Sequence, residues 1–267
     1  MRIYELKYSN TNTYLIAGEK GLLLFDTGWA GSFPAFCKCM GELEISVQDI
    51  SYIVISHFHP DHMGIAQEIA DLGPDIVVMD VQQSYIHAAD SIFEKEAGSG
   101  FKPVRDEIVT LLKVADSRSF LKKIGIDGEI IHTPGHSDDS ISLWIDSGEL
   151  FVGDLNPLYE KELHKGTQIE GSWDKLLKLY PTTIYYGHAR KAELSLDNPA
   201  ISRDEPGDRY ELVSKIIRMI DKGTGRDRIQ KKTGADSDFI EDVTRMYLTH
   251  RNVGVQGILD RIEIKNR

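Results

Sequence analysis

The length, composition and charge of the chain describe an acidic globular protein. It has 267 residues, of which 41% are hydrophobic and 27% charged, so it is long enough to bury one full core. A formal net charge of −11 opposes non-specific attraction to nucleic acid or anionic membranes. No apolar run approaches the ~20 residues of a membrane span, and the N-terminal sequence lacks the apolar region of a signal peptide. We therefore expect a cytoplasmic protein with no membrane partner.

The N-terminal part of the chain predicts a meander followed by alternating helices and strands. Residues 2–26 contain three apolar stretches separated by turns rich in Asn, Thr and Gly, which predicts an antiparallel meander. Hydrophobic spacing then predicts these elements in order: a helix at 33–43, a strand at 51–55, a helix at 64–72, a strand at 75–79 and a helical stretch at 82–95.

The middle of the chain begins with a break and then continues the mixed pattern. Residues 96–103 are rich in Gly and contain Ser and Pro, which is typical of a loop. The following elements are predicted from hydrophobic spacing: a helix at 105–113, strands within 128–153, a helix at 173–179 and a strand at 182–187.

The C-terminal segment has a different character. Apolar residues recur there only at helical spacing, which predicts helices at 210–221, 226–232 and 239–248. We therefore divide the chain into a mixed domain at 1–200 and a helical extension at 201–267.

The helical extension has three possible roles: a cap that shapes a pocket, a dimer surface or a helix-turn-helix. Its last two helices have the length and central glycine of a helix-turn-helix. However, the segment that would read DNA carries four acidic residues, which phosphates repel: Asp236, Asp238, Glu241 and Asp242. We therefore favour a cap or a homodimer surface over a nucleic-acid partner.

The strongest local signal is a cluster of polar residues directly after the strand predicted at 51–55. The sequence S-H-F-H-P-D-H places four potential metal ligands in one short loop: His57, His59, Asp61 and His62. Imidazole nitrogens and carboxylate oxygens form the ligand set of zinc and of non-haem iron or manganese. Buried without partners, such side chains cost roughly 2–7 kcal/mol each. The cluster therefore indicates a metal site.

Three later segments each lead from an apolar stretch into another potential ligand. The stretch I-I-H-T-P-G-H ends at His136, E-L-F-V-G-D at Asp154, and T-T-I-Y-Y-G-H at His188. Functional side chains commonly lie where strands pass into loops. We therefore expect these residues to join the first cluster in one site assembled from strand ends.

This ordered set of motifs resembles the metallo-β-lactamase superfamily of hydrolases. The resemblance extends over about residues 1–198 and includes an early strand that ends in Asp26, in L-L-L-F-D-T-G. It implies an αββα sandwich, in which two sheets pack face to face with helices outside. The domain at 1–200 would then be the hydrolase domain.

The resemblance also implies a dinuclear centre, with zinc as the first choice of metal and iron or manganese as alternatives. His57, His59 and His136 correspond to the ligands of one cation. Asp61, His62 and His188 correspond to those of the second, with Asp154 bridging both. Two cations ~3.5–4 Å apart repel each other, so an anionic bridge and a shared hydroxide are required between them. That hydroxide would attack the substrate, and Asp61 would orient it or receive its proton.

Other side chains are expected around the ligands. Asp26 corresponds to a residue that fixes ligand imidazoles through hydrogen bonds. His132 lies four residues before His136, and we expect it in the core or behind the ligands. Four residues border the expected pocket as possible substrate contacts: Tyr85, His87, Tyr159 and His164. Gly135 and Gly187 each precede a ligand, where a side chain would obstruct the backbone.

The substrate class is less constrained than the site. The acidic charge and the short chain disfavour the nucleases of the superfamily, and the lack of an export signal separates the chain from secreted lactamases. We expect a small-molecule ester, thioester or lactone, with phosphoesters as the alternative. Redox chemistry at a di-iron centre and a regulator with a DNA-binding tail are less favoured alternatives.

Overall fold

The described part of the chain forms two mixed β-sheets and two sets of helices. The computed structural model describes residues 1–95, 98–194 and 208–249, together with residues 255, 258 and 259. The six strands of the first sheet are adjacent in chain order: β1 (Arg2–Leu6), β2 (Thr13–Ala17), β3 (Leu22–Phe25), β4 (Ile50–Val54), β5 (Asp75–Met79) and β6 (Val109–Leu112). Strands β1 to β3 are antiparallel, which confirms the predicted meander, and β3 to β6 are parallel.

The second sheet has five strands: β7 (Gly128–His132), β8 (Ile141–Ile145), β9 (Glu149–Phe151), β10 (Thr183–Tyr185) and β11 (Ala192–Glu193). Their order is β11-β10-β9-β8-β7, and only β9 and β10 run parallel. Among the described residues up to 194 there are six α-helices: α1 (Phe33–Glu42), α2 (Pro60–Met63), α3 (Ala66–Ala70), α4 (Asp90–Phe93), α5 (Ser117–Lys123) and α6 (Gln168–Leu177).

Alternation along the strands explains why the sheets pack into four layers. In β3, Leu23 and Phe25 face the core between the sheets, whereas Leu24 faces the core on the other side. A strand that is buried on both faces is apolar at every position, as β3 is. Helix α1 covers the outer core of the first sheet with Phe36, and α6 covers that of the second with Trp173. The structure therefore has the αββα architecture that the resemblance implies.

The helix predicted at 105–113 is wrong. Residues 106–108 form a single 3₁₀ turn, and Val109–Leu112 form strand β6, which pairs in parallel with β5. Val109 and Thr110 are β-branched and favour a strand. The pairing with β5 bridges about thirty residues, so local periodicity does not reveal it.

Two other predicted helices are shorter and more divided than expected. The segment at 64–72 contributes only α3, and α2 begins earlier, inside the histidine-rich loop. The stretch at 82–95 consists of a 3₁₀ helix at Asp80–Tyr85 and the four-residue helix α4. The helix predicted at 173–179 begins earlier, at Gln168.

The C-terminal helices confirm the three predicted segments. They are α7 (Asp208–Asp221), α8 (Arg226–Thr233) and α9 (Ser237–Thr249). Gly234 ends α8 with a left-handed φ of 70°, and the buried side chains of the three helices form a cluster of their own. The predicted division at residue 200 lies outside the described residues. No helix among the described residues is long and apolar enough for a membrane span.

Candidate metal centre

The histidine-rich loop follows β4 and leads into α2. Pro60 lies at the first helical position, where its fixed φ suits a helix and its missing N–H is not needed. His57 and His59 precede this helix, and Asp61 and His62 lie within it. The change from extended loop to helical turn therefore presents the ligand candidates in two groups.

The first group consists of three imidazoles whose nitrogens converge. The Nδ1 atom of His59 lies 3.0 Å from Nε2 of His57 and 3.1 Å from Nε2 of His136. Nitrogens bound to one zinc ion at 2.0–2.1 Å in a tetrahedron are ~3.3 Å apart. These two distances are therefore close to those expected between nitrogens that share one cation, and all three ligand atoms lie within 4.8 Å of one another.

The second group consists of Asp61, His62 and His188. Oδ2 of Asp61 lies 2.9 Å from Nε2 of His188 and 3.9 Å from Nε2 of His62. The Nδ1 atom of His188 lies 2.9 Å from the carbonyl oxygen of Asn10, to which it must donate because a carbonyl only accepts. In neutral His188, the lone pair on Nε2 therefore faces the Asp61 carboxylate. Such a contact requires a proton or a cation between the two atoms.

Asp154 lies between the two groups. Its Oδ1 is 3.3 Å from Nε2 of His62 and 3.4 Å from Nε2 of His188, whereas its Oδ2 is 3.5 Å from Nε2 of His136. One carboxylate thus directs one oxygen to each group. Three subsets of the seven residues could each hold an ion, because their ligand atoms lie within 4.8 Å of one another: His57, His59 and His136; His57, His62 and Asp154; and Asp61, His62 and His188.

The protonation states differ between the two groups. Burial lowers the pKa of His136 to about 4, and it lowers the pKa values of His57 and His59 as well. Burial also opposes protonation of His62, but the surrounding carboxylates, Asp154 first, raise its pKa well above the usual range. The first group therefore offers neutral imidazoles with free lone pairs, and the second holds a proton that a cation could replace.

The pKa values of the two acidic residues favour cation binding. Burial alone would raise the pKa of Asp61, but His62 and His188 outweigh it and hold the pKa far below its usual value. The pKa of Asp154 is lowered by His188, His62 and His136, again against the effect of burial. Both side chains are therefore anionic near neutral pH.

Contacts behind the ligands fix the imidazole rings. Asp26 accepts hydrogen bonds from the amide and hydroxyl of Ser56 at 2.7 and 2.9 Å, and its Oδ2 lies 2.9 Å from Nδ1 of His62. Asp26 has a φ of 64°, a left-handed conformation that Asp tolerates better than most residues. Thr27 donates its amide and hydroxyl hydrogens to the carbonyl oxygen of His62 at 2.7 and 3.0 Å.

A second set of contacts joins the histidine-rich loop to the segment that carries His136. The amide of Phe58 donates to Oδ2 of Asp139 at 2.7 Å. Gln82 donates from Nε2 to the carbonyl oxygens of Ile55 at 2.9 Å and Asp139 at 3.2 Å. Because Gln82 and Asp139 are both buried, these bonds are shielded from water and orient the two segments relative to each other.

Several of these supporting residues are not predicted from the sequence. Those that contact the ligand loops are Thr11, Asn12, Thr27, Ser56, Gln82 and Asp139. Ser56 and Asp139 adjoin ligand motifs in the sequence, so proximity offered a weak signal for them. Three others lie far along the chain from the ligand segments that they contact, and no sequence spacing identifies them: Thr11, Asn12 and Gln82.

Glycine at 187 leaves space for the ligands. A Cβ atom at this position would lie 2.6 Å from Oδ1 of Asp154 and 2.9 Å from Cε1 of His62. At Gly135, where φ is +146°, a Cβ atom would lie 2.6 Å from Cγ1 of Ile169. Both positions therefore match the expectation that a side chain would obstruct the ligand segments.

The donor set fits divalent cations. Three polar atoms of the cluster are buried without a hydrogen-bond partner: Nε2 of His62, Nδ1 of His136 and Oδ1 of Asp154. Two of them, on His62 and Asp154, face each other across the centre of the second group at 3.3 Å. Buried polar atoms without partners are costly, and coordination by an ion would satisfy these two; His136 turns its other nitrogen, Nε2, towards the first group.

The remaining predicted residues have other contacts. The Nε2 atom of His132 lies 2.8 Å from the carbonyl oxygen of Asp138, in the loop that carries His136. His87 lies between Asp90 and Asp106, at 2.8 and 3.0 Å.

Three possible substrate contacts differ in their surroundings. Tyr85 packs against the outer core of the first sheet, the hydroxyl of Tyr159 is buried, and burial lowers the pKa of His164. Their role as substrate contacts, like that of His87, stays a prediction.

The chain is similar to known proteins over most of its length. A family model of the metallo-beta-lactamase superfamily matches residues 7–188. A beta-lactamase-like protein 2 homolog from Caenorhabditis elegans is 29% identical over 86% of this chain and 72% of its own length. An atrochrysone carboxyl ACP thioesterase from Aspergillus terreus is 23% identical over 89% of this chain and 66% of its own length. The chain spans 60% and 29% of the lengths of two further relatives, from Drosophila melanogaster and Aspergillus fumigatus.

The fold has counterparts among solved structures. The crystal structure of a metallo-beta-lactamase family protein from Thermus thermophilus aligns with a TM-score of 0.51 and 18% identity, over 99% of this chain and 94% of that one. At this identity the likeness shows the fold alone. Together with the family model, which matches more than half of the residues, it leads to one conclusion: the chain belongs to the metallo-beta-lactamase superfamily.

Proposed function

We propose that the protein is a hydrolase that uses two divalent cations to cleave an ester, thioester or lactone of a small molecule. The observation that carries the proposal is the position of Asp154, whose two oxygens face different groups of ligand candidates at 3.3–3.5 Å. A structural role for the carboxylate would not require its two oxygens to face different groups of potential ligands. A carboxylate shared by two cations would direct one oxygen to each group, as Asp154 does.

The proposed ligands follow the two groups. His57, His59 and His136 would hold one cation, and Asp61, His62 and His188 the other, with Asp154 shared. The bound cations would supply Lewis acidity, which polarises a substrate carbonyl and makes water a nucleophile near neutral pH. Zinc is the first choice because its ligands are imidazole and carboxylate, and iron or manganese accept the same set.

The roles of the chain's own residues follow from their contacts. Asp61 is anionic and lies 2.9 Å from Nε2 of His188, so it would help to hold the second cation and would position water by accepting a hydrogen bond; its lowered pKa makes it a weak base. Asp26 requires a proton on Nδ1 of His62 and thereby leaves Nε2 for a cation.

Thioesters are the first substrates to test among carbonyl compounds. One relative carries the name of an acyl-carrier-protein thioesterase, and the net charge of −11 disfavours polyanionic substrates. Phosphodiesters are the alternative, because a pair of cations also stabilises phosphoryl transfer.

The helical extension completes the proposal. We propose that residues 201–267 select the substrate or form a homodimer surface and contribute no metal ligand. We also propose a cytoplasmic location. Ile216 and Val243 are fully buried in the cluster that α7 to α9 form with one another, which is consistent with a separate packing unit.

A substrate panel with two variants tests the proposed activity. The protein would be loaded separately with zinc, manganese and iron, and assayed on thioester, lactone and phosphodiester substrates. Asp154→Asn keeps the side-chain shape but loses the charge, so metal occupancy and turnover should both collapse. Asp146→Asn removes an exposed carboxylate that pairs with Arg118 and should leave both unchanged. Turnover of phosphodiesters alone would assign the alternative, and full activity of Asp154→Asn would refute the role of Asp154.

A further inference from the structure

The connection between β1 and β2 contacts two separate ligand segments. It contains Asn10, Thr11 and Asn12, in a stretch that sequence patterns assign to a turn. Turn residues of this type usually form hydrogen bonds within their own turn. Here their side-chain and backbone groups instead reach residues at 61 and at 186–189.

Thr11 contacts the segment that carries Asp61. Its hydroxyl donates to the carbonyl oxygen of Asp61 at 2.6 Å, and the Thr11 side chain is 1% exposed. Helix α2 has only four residues, so its carbonyl groups lack the partners that a longer helix would supply. The buried hydroxyl of Thr11 therefore supplies a partner to the ligand residue's own backbone.

Asn10 and Asn12 contact the segment that carries His188. The carbonyl oxygen of Asn10 accepts from Nδ1 of His188 at 2.9 Å, which directs Nε2 towards Asp61. Asn12 donates from Nδ2 to the carbonyl oxygens of Tyr186 at 3.0 Å and Ala189 at 2.9 Å. Its backbone amide donates to the carbonyl oxygen of Gly187 at 2.7 Å. Three donated hydrogen bonds thus fix the backbone on both sides of His188.

We infer that the turn at 10–12 is a positioning element for the half of the site formed by Asp61, His62 and His188. These ligands come from both sheets, because Asp61 follows β4 of the first and His188 follows β10 of the second. The turn joins them through Thr11 on one side and through Asn10 and Asn12 on the other. The inference deepens the proposed function and rests on cation binding at this half.

The other half of the site has a separate support. His57 and His59 flank Phe58, whose amide donates to Asp139 in the segment after His136. Gln82 adds donors to Ile55 and Asp139. Because different hydrogen bonds support the two halves, loss of the Thr11 hydroxyl should weaken one cation and spare the other.

Metal titration of the chelator-treated 267-residue chain tests this selectivity. Zinc would be titrated in competition with a chromophoric chelator, which measures each affinity without an activity assay. Thr11→Val removes the hydroxyl at nearly constant shape and should weaken one equivalent of zinc about 10-fold or more, as changes behind metal ligands do. Thr11→Ser keeps the hydroxyl and should restore wild-type affinity. Asn12→Ala should weaken the same equivalent.

Two controls separate positioning from general loss of stability. Thr13→Val removes a buried hydroxyl from the same hairpin, one that donates to the carbonyl oxygen of Leu6 at 3.4 Å, and should leave both zinc affinities unchanged. In an Asp61→Ala background, which should retain only the first cation, Thr11→Val should have no further effect.

The outcomes distinguish this inference from the proposed function. Selective weakening by Thr11→Val, absent in Thr13→Val and in the Asp61→Ala background, supports the inference. If Thr11→Val weakens both zinc equivalents equally, or weakens neither, the inference is overturned. The proposed function then still stands, provided that the wild type binds two cations. A wild-type protein that binds fewer than two equivalents overturns both.

Discussion

The carboxylate of Asp26 contacts the imidazole of His62 at 2.9 Å, and the two side chains are 1% and 0% exposed. Because a carboxylate only accepts hydrogen bonds, Nδ1 of His62 carries the proton. Nε2 is then the atom that faces Asp154 and Asp61. This buried pair links the end of β3 to the chemistry at the centre of the site.

Asp26→Asn should weaken metal binding without unfolding the protein. Asparagine keeps one acceptor oxygen and replaces the other with a donor, so it cannot accept hydrogen bonds from both the Ser56 amide and Nδ1 of His62 as the two carboxylate oxygens do. His62 would then favour the tautomer with its proton on Nε2, which excludes a cation there. We expect a loss of about 10–100-fold in zinc affinity, measured by chelator competition. Asp146→Asn is the matched control, and unchanged affinity in Asp26→Asn would contradict the role given to this pair.

Gly187→Ala should disrupt the metal centre by steric pressure alone. The new Cβ atom would lie 2.6 Å from Oδ1 of Asp154, so the ligand or the strand end must move. Elemental analysis should show reduced metal content. Gly171→Ala is the control: nothing lies within 4 Å of a Cβ there, and alanine in helix α6 should stabilise the fold by about 0.5–1 kcal/mol. Full metal content in Gly187→Ala would show that the ligands tolerate displacement.

His87 should contribute stability that depends on pH. A hydrogen bond to Asp106, together with contacts to Asp90, raises the pKa of His87 above its usual value of 6.5. The contribution is therefore fully present below pH ~6.5 and is lost as the pH rises through the raised value. Thermal unfolding should show Asp106→Asn to be less stable than wild type at low pH and equal to it at high pH. Asp146→Asn loses a bond to Arg118, which stays charged, so its effect should not vary. A pH-independent effect of Asp106→Asn would contradict the assignment.

Ile216→Ala should destabilise the C-terminal helices and leave the metal centre intact. Ile216 is fully buried in the cluster formed by α7 to α9, so truncation should cost about 2–5 kcal/mol. Thermal unfolding followed by circular dichroism should show that helix is lost at a lower temperature than in the wild type. The metal content of the folded protein should stay at the wild-type value. Loss of metal in step with the helices would show that the extension supports the centre.

The metal-ligand candidates were predictable because their residue types are unusual at those positions. Histidine and aspartate immediately after apolar strands have few structural explanations, so His57, Asp154 and His188 stand out without any knowledge of the fold. The strands β3 and β4 are predictable for a different reason, because their apolar residues contribute to the cores on both faces of the sheet. Chemistry and burial thus leave clear traces in short stretches of sequence.

Long-range relationships left no such trace. The local sequence of strand β6 predicts a helix, because its strand conformation depends on pairing with β5 about thirty residues away. Thr11 and Asn12 have the composition of an ordinary turn, and only the structure shows that they reach Asp61 and the segment around His188. Spacing along the chain predicts neighbours on one element, but it does not predict hydrogen bonds between sheets.

Metal content is the most direct test of the central claim that the seven residues form a two-cation centre. Elemental analysis of protein purified without chelator should give about two equivalents per chain in the wild type and about one in Asp61→Ala, which loses a ligand of only one group. One equivalent in the wild type, unchanged in Asp61→Ala, would contradict the account.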